Sequence, residues 1–192
     1  MLLKHFSHLK SNWFFIFVVT CMVVFQSFDL IDVFQYKNKF NNEYYRLFSG
    51  HFIHLNWTHA SLNILGFCIV VLLWGVQFSQ LKWLVYTFSL SLAISFGLYV
   101  LYPNIDYYLG LSGVLHGLVL IALIKNLSNS RVVYPVLIFL LVLKVLFEMM
   151  GFELNTSTEI GARVVVEAHF LGLISAMLLV VFELYLLKKA AD

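Results

Sequence analysis

The chain has 192 residues, of which 61% are hydrophobic and only 11% charged. That balance leaves too little polar surface to cover a water-soluble monomer, so the lipid bilayer is the expected solvent. A formal net charge of +2, with no basic stripe carrying interleaved aromatics, excludes a nucleic-acid partner.

The apolar residues come in long runs rather than amphipathic stripes, at 13–28, 57–76, 81–102, 111–124, 132–151 and 164–187. Most approach the roughly 20 residues that a helix needs to cross a bilayer. They predict an all-α polytopic membrane protein, a six-transmembrane-helix bundle forming a single domain over residues 1–192. Lys4 and Lys10 precede the first run in the manner of a signal peptide, but Val24 to Ser27 offer no small-residue cleavage site, so this run reads as a retained helix. Cys21 and Cys68 fall inside apolar runs without CxxC spacing and read as small buried hydrophobes. The connection from Asp29 to Asn56 is the longest; Tyr44, Tyr45, Leu47, Phe48 and Phe52 predict that it lies partly in the interface.

Six crossings put both termini on one side. Lys4, Lys10, Lys82, Lys125, Arg131, Lys188 and Lys189 flank that side, against Lys37, Lys39, Arg46 and Arg163 on the other. The positive-inside rule makes the termini cytoplasmic. Asp29, Asp32, Glu43, Asp106, Glu153 and Glu159 gather in the outer connections, and any substrate site is expected to open there.

Polar groups inside a membrane are costly, so each is weighed as a functional candidate against a structural role. The run 111–124 is short, and its outer end carries Gly110, Leu111, Ser112, Gly113, Val114, Leu115, His116 and Gly117. A serine between glycines at a helix start has free N–H groups and a positive dipole end nearby, which suits an oxyanion. Gly113 and Gly117 equally make a small-xxx-small packing face, so the motif alone is weak. His169 is followed by a second such face, Gly172 and Ala176. Counted from an outer boundary near Ala162, His169 lies roughly 10 Å deep, within reach of a recessed Ser112. His116, four residues after Ser112, competes for the role of base, and spacing leaves both histidines open. Glu167 faces away from His169 and pairs by spacing with Arg163, so a serine–histidine dyad is expected. His59 and Asn63, with His54 nearby, can donate to a developing negative charge. Histidine with asparagine is a poor zinc set, so no metal and no cofactor is expected. Lys144 and Glu148 neutralise each other at i, i+4 and read as structural; Glu183 near the cytoplasmic end snorkels.

With GLSG at Gly110 to Gly113, AHFLG at Ala168 to Gly172, and His59 with Asn63, the chain resembles the rhomboid family of intramembrane serine proteases over nearly its whole length. The resemblance implies Ser112 as nucleophile, His169 as general base, and His59, Asn63 and the Ser112 N–H as the oxyanion hole. Tyr45 and Arg46 sit where the family's first loop usually carries Trp-Arg. Two positions depart from the pattern: His116 replaces a tyrosine that stacks on the base, and Glu167 replaces a small residue. GLSGVLHG is similar to the rhombosortase subgroup, which implies a bacterial inner-membrane location. It also implies substrates anchored by a C-terminal transmembrane tail with a Gly-Gly motif. The rival readings are a catalytically inactive rhomboid-like chaperone of membrane proteins and a small transporter or metal channel built on the histidines.

Overall fold

The computed structural model describes residues 12–39, 42–152 and 156–191. Lys4, Lys10 and Glu153, which contribute to the expected orientation, lie outside the described residues. The fold is predominantly helical: α1 (Trp13–Ser27), α2 (Ile31–Phe34), α3 (Arg46–Ser49), α4 (Trp57–Trp74), α5 (Gln80–Leu101), α6 (Ser112–Lys125), α7 (Val133–Met149), α8 (Thr156–Ile160) and α9 (Val166–Ala191). Each of the six apolar runs forms a helix within a few residues of its expected limits. By length and composition α4, α5 and α9 can cross a membrane, while α1 and α6 are shorter apolar helices. Their apolar residues cover the whole circumference, as expected where lipid surrounds the bundle.

Polar residues set the helix ends. The Asn56 side chain accepts from the His59 N–H at 2.9 Å and caps α4, while Ser79 caps α5 through the Lys82 N–H. Each such cap contributes about 1 kcal/mol. Ser130 receives the N–H groups of Val132 and Val133 at the start of α7, and Pro135 falls in that first turn, where a missing N–H costs nothing. Gly161, at φ +75°, ends α8 in the left-handed conformation that favours glycine.

The long connection before α4 is folded rather than merely interfacial. Its β1 (Tyr36–Lys37) pairs antiparallel with β2 (Tyr107–Tyr108) just before α6, opposing Tyr36 to Tyr108 and Lys37 to Tyr107. His51 is fully buried, with Nε2 3.0 Å from both the Ser91 carbonyl and Ser95 Oγ on α5. Ser95 Oγ in turn donates to the Leu47 carbonyl at 2.7 Å. Burial pushes the His51 and His54 imidazoles down to about 3, so both are neutral at physiological pH.

At the core of the bundle α6 lies against α9. A Cβ on Gly113 would come within 2.7 Å of the Ala168 carbonyl, and one on Gly117 within 2.9 Å of the Gly172 carbonyl. A Cβ on Gly172 would strike the Gly113 carbonyl. The expected small-residue faces therefore meet each other, and backbone approaches backbone. Two other expectations are corrected. Cys68 is exposed on the outward face of α4, with Cys21 half-buried, so Cys68 is no core residue. Glu183 does not snorkel: it bridges Lys125 of α6 at 2.8 Å and Lys82 of α5, and accepts from the Tyr86 hydroxyl at 2.9 Å.

Candidate active site

Ser112 opens α6, and no side chain caps the first turn, so the positive end of the helix faces the space around its hydroxyl. The preceding loop is tightly held. Gly110 has φ +116°, its N–H donates to the Gly50 carbonyl at 3.1 Å, and its carbonyl accepts from the Tyr108 hydroxyl at 2.6 Å. A Cβ at Gly110 would lie 2.8 Å from two atoms of the His59 ring, so glycine is needed for space as well as for conformation. The Tyr108 hydroxyl also meets the Ser112 side chain and the Gly113 N–H, and burial pushes this phenol up, keeping it neutral.

Ser112 Oγ lies 2.8 Å from His169 Nε2. The other ring nitrogen, Nδ1, lies 3.0 Å from Glu148 Oε2, and Glu148 Oε1 lies 2.9 Å from Lys144 Nζ. Lys144 Nζ is also 2.7 Å from His116 Nε2, and His116 Nδ1 is 2.7 Å from the Ser112 backbone carbonyl. The five residues thus form a closed circuit, and the donor inventory of each group fixes its direction. The Ser112 carbonyl only accepts, so His116 carries its proton on Nδ1 and accepts at Nε2 from the Lys144 ammonium. The Glu148 carboxylate only accepts, so His169 carries its proton on Nδ1. His169 Nε2 is then left with a lone pair facing the Ser112 hydroxyl.

This geometry separates the two candidate bases that spacing left open. Both nitrogens of His116 are committed elsewhere; its ring stacks on that of His169 with centroids 4.2 Å apart and planes at 19°. The histidine that departs from tyrosine therefore lays a flat ring over the His169 imidazole. Glu167 binds Arg163 at 2.7 Å, as its spacing implies. Glu148 is not confined to Lys144, however: its second oxygen stands behind His169, a carboxylate contributed by α7 that the reading of Lys144 and Glu148 as a self-contained pair did not include. His169 is also only three residues into α9, which starts at Val166 rather than near Ala162. The helix contributes about 4.5 Å of depth instead of 10, and the non-helical stretch 161–165 makes up the entry to the site.

His59 and Asn63 both line a cavity of about 210 Å³ that also holds Ser112, His116, Glu148 and His169. Asn63 Nδ2 donates one hydrogen to the His59 carbonyl at 3.0 Å and retains a second. A neighbouring cavity of about 390 Å³, reaching toward Lys37, Tyr107 and Arg163, shares His59, Ser112, Ile160 and Val164 with the first. Ser112 therefore sits where two cavities meet, beneath α8. Asn56 Nδ2 donates to the Ile160 carbonyl at 2.7 Å, tying α8 to the cap of α4. Gly113 and Gly172 act through the close helix contact already described. His54 packs edge-on against His59, ring centroids 4.9 Å apart, and does not line either cavity. Arg46 is buried in the first connection, binding Glu43 at 2.7 Å and the Gln35 carbonyl at 3.0 Å, and holds that loop rather than the cavity. Its guanidinium draws the Glu43 carboxyl down.

His116, Glu148 and His169 present ligand atoms within 4.8 Å of one another. Lys144 Nζ touches two of the three, so an ammonium fills the place a metal cation would take. Sequence reasoning missed Glu148 and Tyr108 as parts of this assembly, and His51, whose ring packs edge-on against Tyr108 with centroids 5.2 Å apart. The paired tyrosines before GLSG were the available signal for Tyr108. The chain matches the family profile described as Rhomboid domain over residues 41–186, which spans every residue of the circuit. No curated protein matches the chain.

Proposed function

We propose that the chain, which belongs to the rhomboid family, is an intramembrane serine endopeptidase that cleaves the C-terminal transmembrane anchor of exported proteins at a Gly-Gly-type tail. Rhomboids are generally intramembrane serine proteases. The observation that best supports the reading is the Ser112 Oγ to His169 Nε2 contact of 2.8 Å, at the junction of two cavities. An anchor helix would enter beside α4 and α7 and unwind at its glycines, which weaken a helix and let its backbone approach a recessed hydroxyl.

Ser112 Oγ attacks the scissile carbonyl carbon as its proton passes to His169 Nε2, and the carbonyl π electrons move onto oxygen. That oxyanion is held by the Ser112 N–H, the His59 ring and the free Asn63 hydrogen. Collapse breaks the C–N bond, and the leaving amine takes the proton from His169. Water then gives a proton to His169 Nε2 and attacks the acyl carbon, an amine acceptor being the alternative nucleophile. Collapse breaks the C–Oγ bond, Ser112 Oγ takes the proton back from His169, and the new carboxyl terminus leaves. In this reading the protein lies in a bacterial inner membrane with both termini cytoplasmic and the site facing the periplasm. Lys82, Lys125 and Glu183 cluster at the opposite ends of the helices from Ser112 and His169, which agrees with that sidedness.

The test is cleavage of a membrane-anchored Gly-Gly substrate by the protein reconstituted in liposomes. Wild type is expected to release the ectodomain and Ser112→Ala to leave it intact. Full activity in Ser112→Ala would overturn the assignment.

A further inference from the structure

We infer that Glu148 is a positioning residue that makes the Ser112–His169 pair a triad, and that Lys144 sets which way Glu148 works. The inference rests on the proposed roles of Ser112 and His169. Glu148 comes from α7, whereas the serine and histidine come from α6 and α9, so three separate helices must dock before the base acquires its tautomer. The carboxylate is buried and both its oxygens are engaged, one on His169 Nδ1 at 3.0 Å and one on Lys144 Nζ at 2.9 Å. It thereby holds the His169 proton on Nδ1, keeps Nε2 basic, and faces the positive charge that appears on the ring when the serine proton arrives. The Nδ1 proton stays on His169 throughout, and Glu148 remains ionised.

Lys144 gives the arrangement a polarity that a carboxylate alone would lack. An ammonium only donates, so it claims an acceptor atom from whatever stands at position 148. In Glu148→Gln the amide oxygen is drawn to Lys144, and the amide NH₂ is turned toward His169 Nδ1. That ring nitrogen must then accept, the proton moves to Nε2, and the base points a hydrogen at the serine hydroxyl. Removing Lys144 from this variant frees the amide to flip and present its oxygen to His169 again. A merely structural role for the Lys144–Glu148 pair predicts no such recovery.

The experiment measures cleavage by the reconstituted full chain as Ser112→Ala, Glu148→Gln, Glu148→Asp and the double variant Glu148→Gln/Lys144→Met. Glu148→Gln is expected to lower kcat about 10²- to 10⁴-fold, the range in which a wrong histidine tautomer acts, with KM within threefold of wild type. Glu148→Asp should retain at least about a tenth of wild-type kcat, and the double variant should exceed Glu148→Gln by about tenfold. Ring-nitrogen NMR of ¹⁵N-histidine wild type, assigned with His116→Gln and His169→Gln, should report the Nδ1-protonated tautomer for both rings. This measurement is read from the wild type and does not depend on whether the variants at position 148 fold. A Glu148→Gln kcat within threefold of wild type, a double variant no better than the single one, or an Nε2-protonated His169 overturns the inference. Activity in Ser112→Ala would instead overturn the serine assignment on which it rests.

Discussion

His116 and His169 are stacked rings one helix apart, and only the bookkeeping of their four nitrogens distinguishes them. His116 spends one nitrogen on the Ser112 carbonyl and the other on Lys144, whereas His169 keeps Nε2 for the hydroxyl. His169→Ala is therefore expected to fall to the Ser112→Ala background in the cleavage assay, while His116→Ala keeps at least about a tenth of the wild-type rate. Ser112, His169, His59 and Asn63 were legible in the sequence because each is a polar residue in an apolar run. Glu148 was not recognised as their partner: 21 residues separate it from His169, and the lysine at i−4 offers a sufficient local account. The histidines of the first connection make a separate prediction. His51 and His54 are held at about 3, below the ordinary value, so the unfolded chain binds more protons than the native one between about pH 6.5 and 3. Their contribution is complete above pH 6.5 and is lost as pH falls, at about 1.4 kcal/mol per unit for each residue. Thermal unfolding in detergent should show a lower midpoint at pH 5 than at pH 7, and His51→Gln should flatten the slope.

At the scale of elements, the six helices follow from the apolar runs, and their limits differ from those of the runs by at most four residues. The paired connections between them were not legible. A two-residue bridge such as Tyr36–Lys37 with Tyr107–Tyr108 carries no periodic pattern, and its partners lie far apart in sequence. The contact between α6 and α9 was anticipated by the glycine spacing and gains its meaning from geometry: it brings Ala168 and Gly113 together just beside Ser112 and His169. Gly172→Val places a branched side chain against the Gly113 carbonyl and forces the helices apart. The expected cost is about 1–3 kcal/mol of stability, the usual range for overpacking. A shift of even about 1 Å between serine and histidine should lower kcat by about 10²-fold. Measuring Tm and kcat on the same preparation separates the two effects; a variant with unchanged kcat would show that this contact does not set the site.

Across the whole molecule, α6 and α9 run in the same direction and are fastened at both ends. Ser112 meets His169 at one end, and Lys125 meets Glu183 at the other, with the glycines between. The distance along α6 from Ser112 to Lys125 is about 20 Å, so the lower lock acts on the site only by holding the helices parallel. Glu183→Gln is expected to lower stability by about 1–2 kcal/mol, since its lysine partners are partly exposed, and to leave kcat within threefold. A larger loss of kcat than of stability would mean that the two ends are coupled. In the proposed mechanism one serine in this helical bundle is activated by one histidine. Labelling of the purified protein with a fluorophosphonate reads that activation directly, without a substrate. Wild type and His116→Ala should label at a single site that maps to Ser112, and Ser112→Ala and His169→Ala should not label. An unlabelled wild type, or equal labelling of Ser112→Ala, would contradict the account.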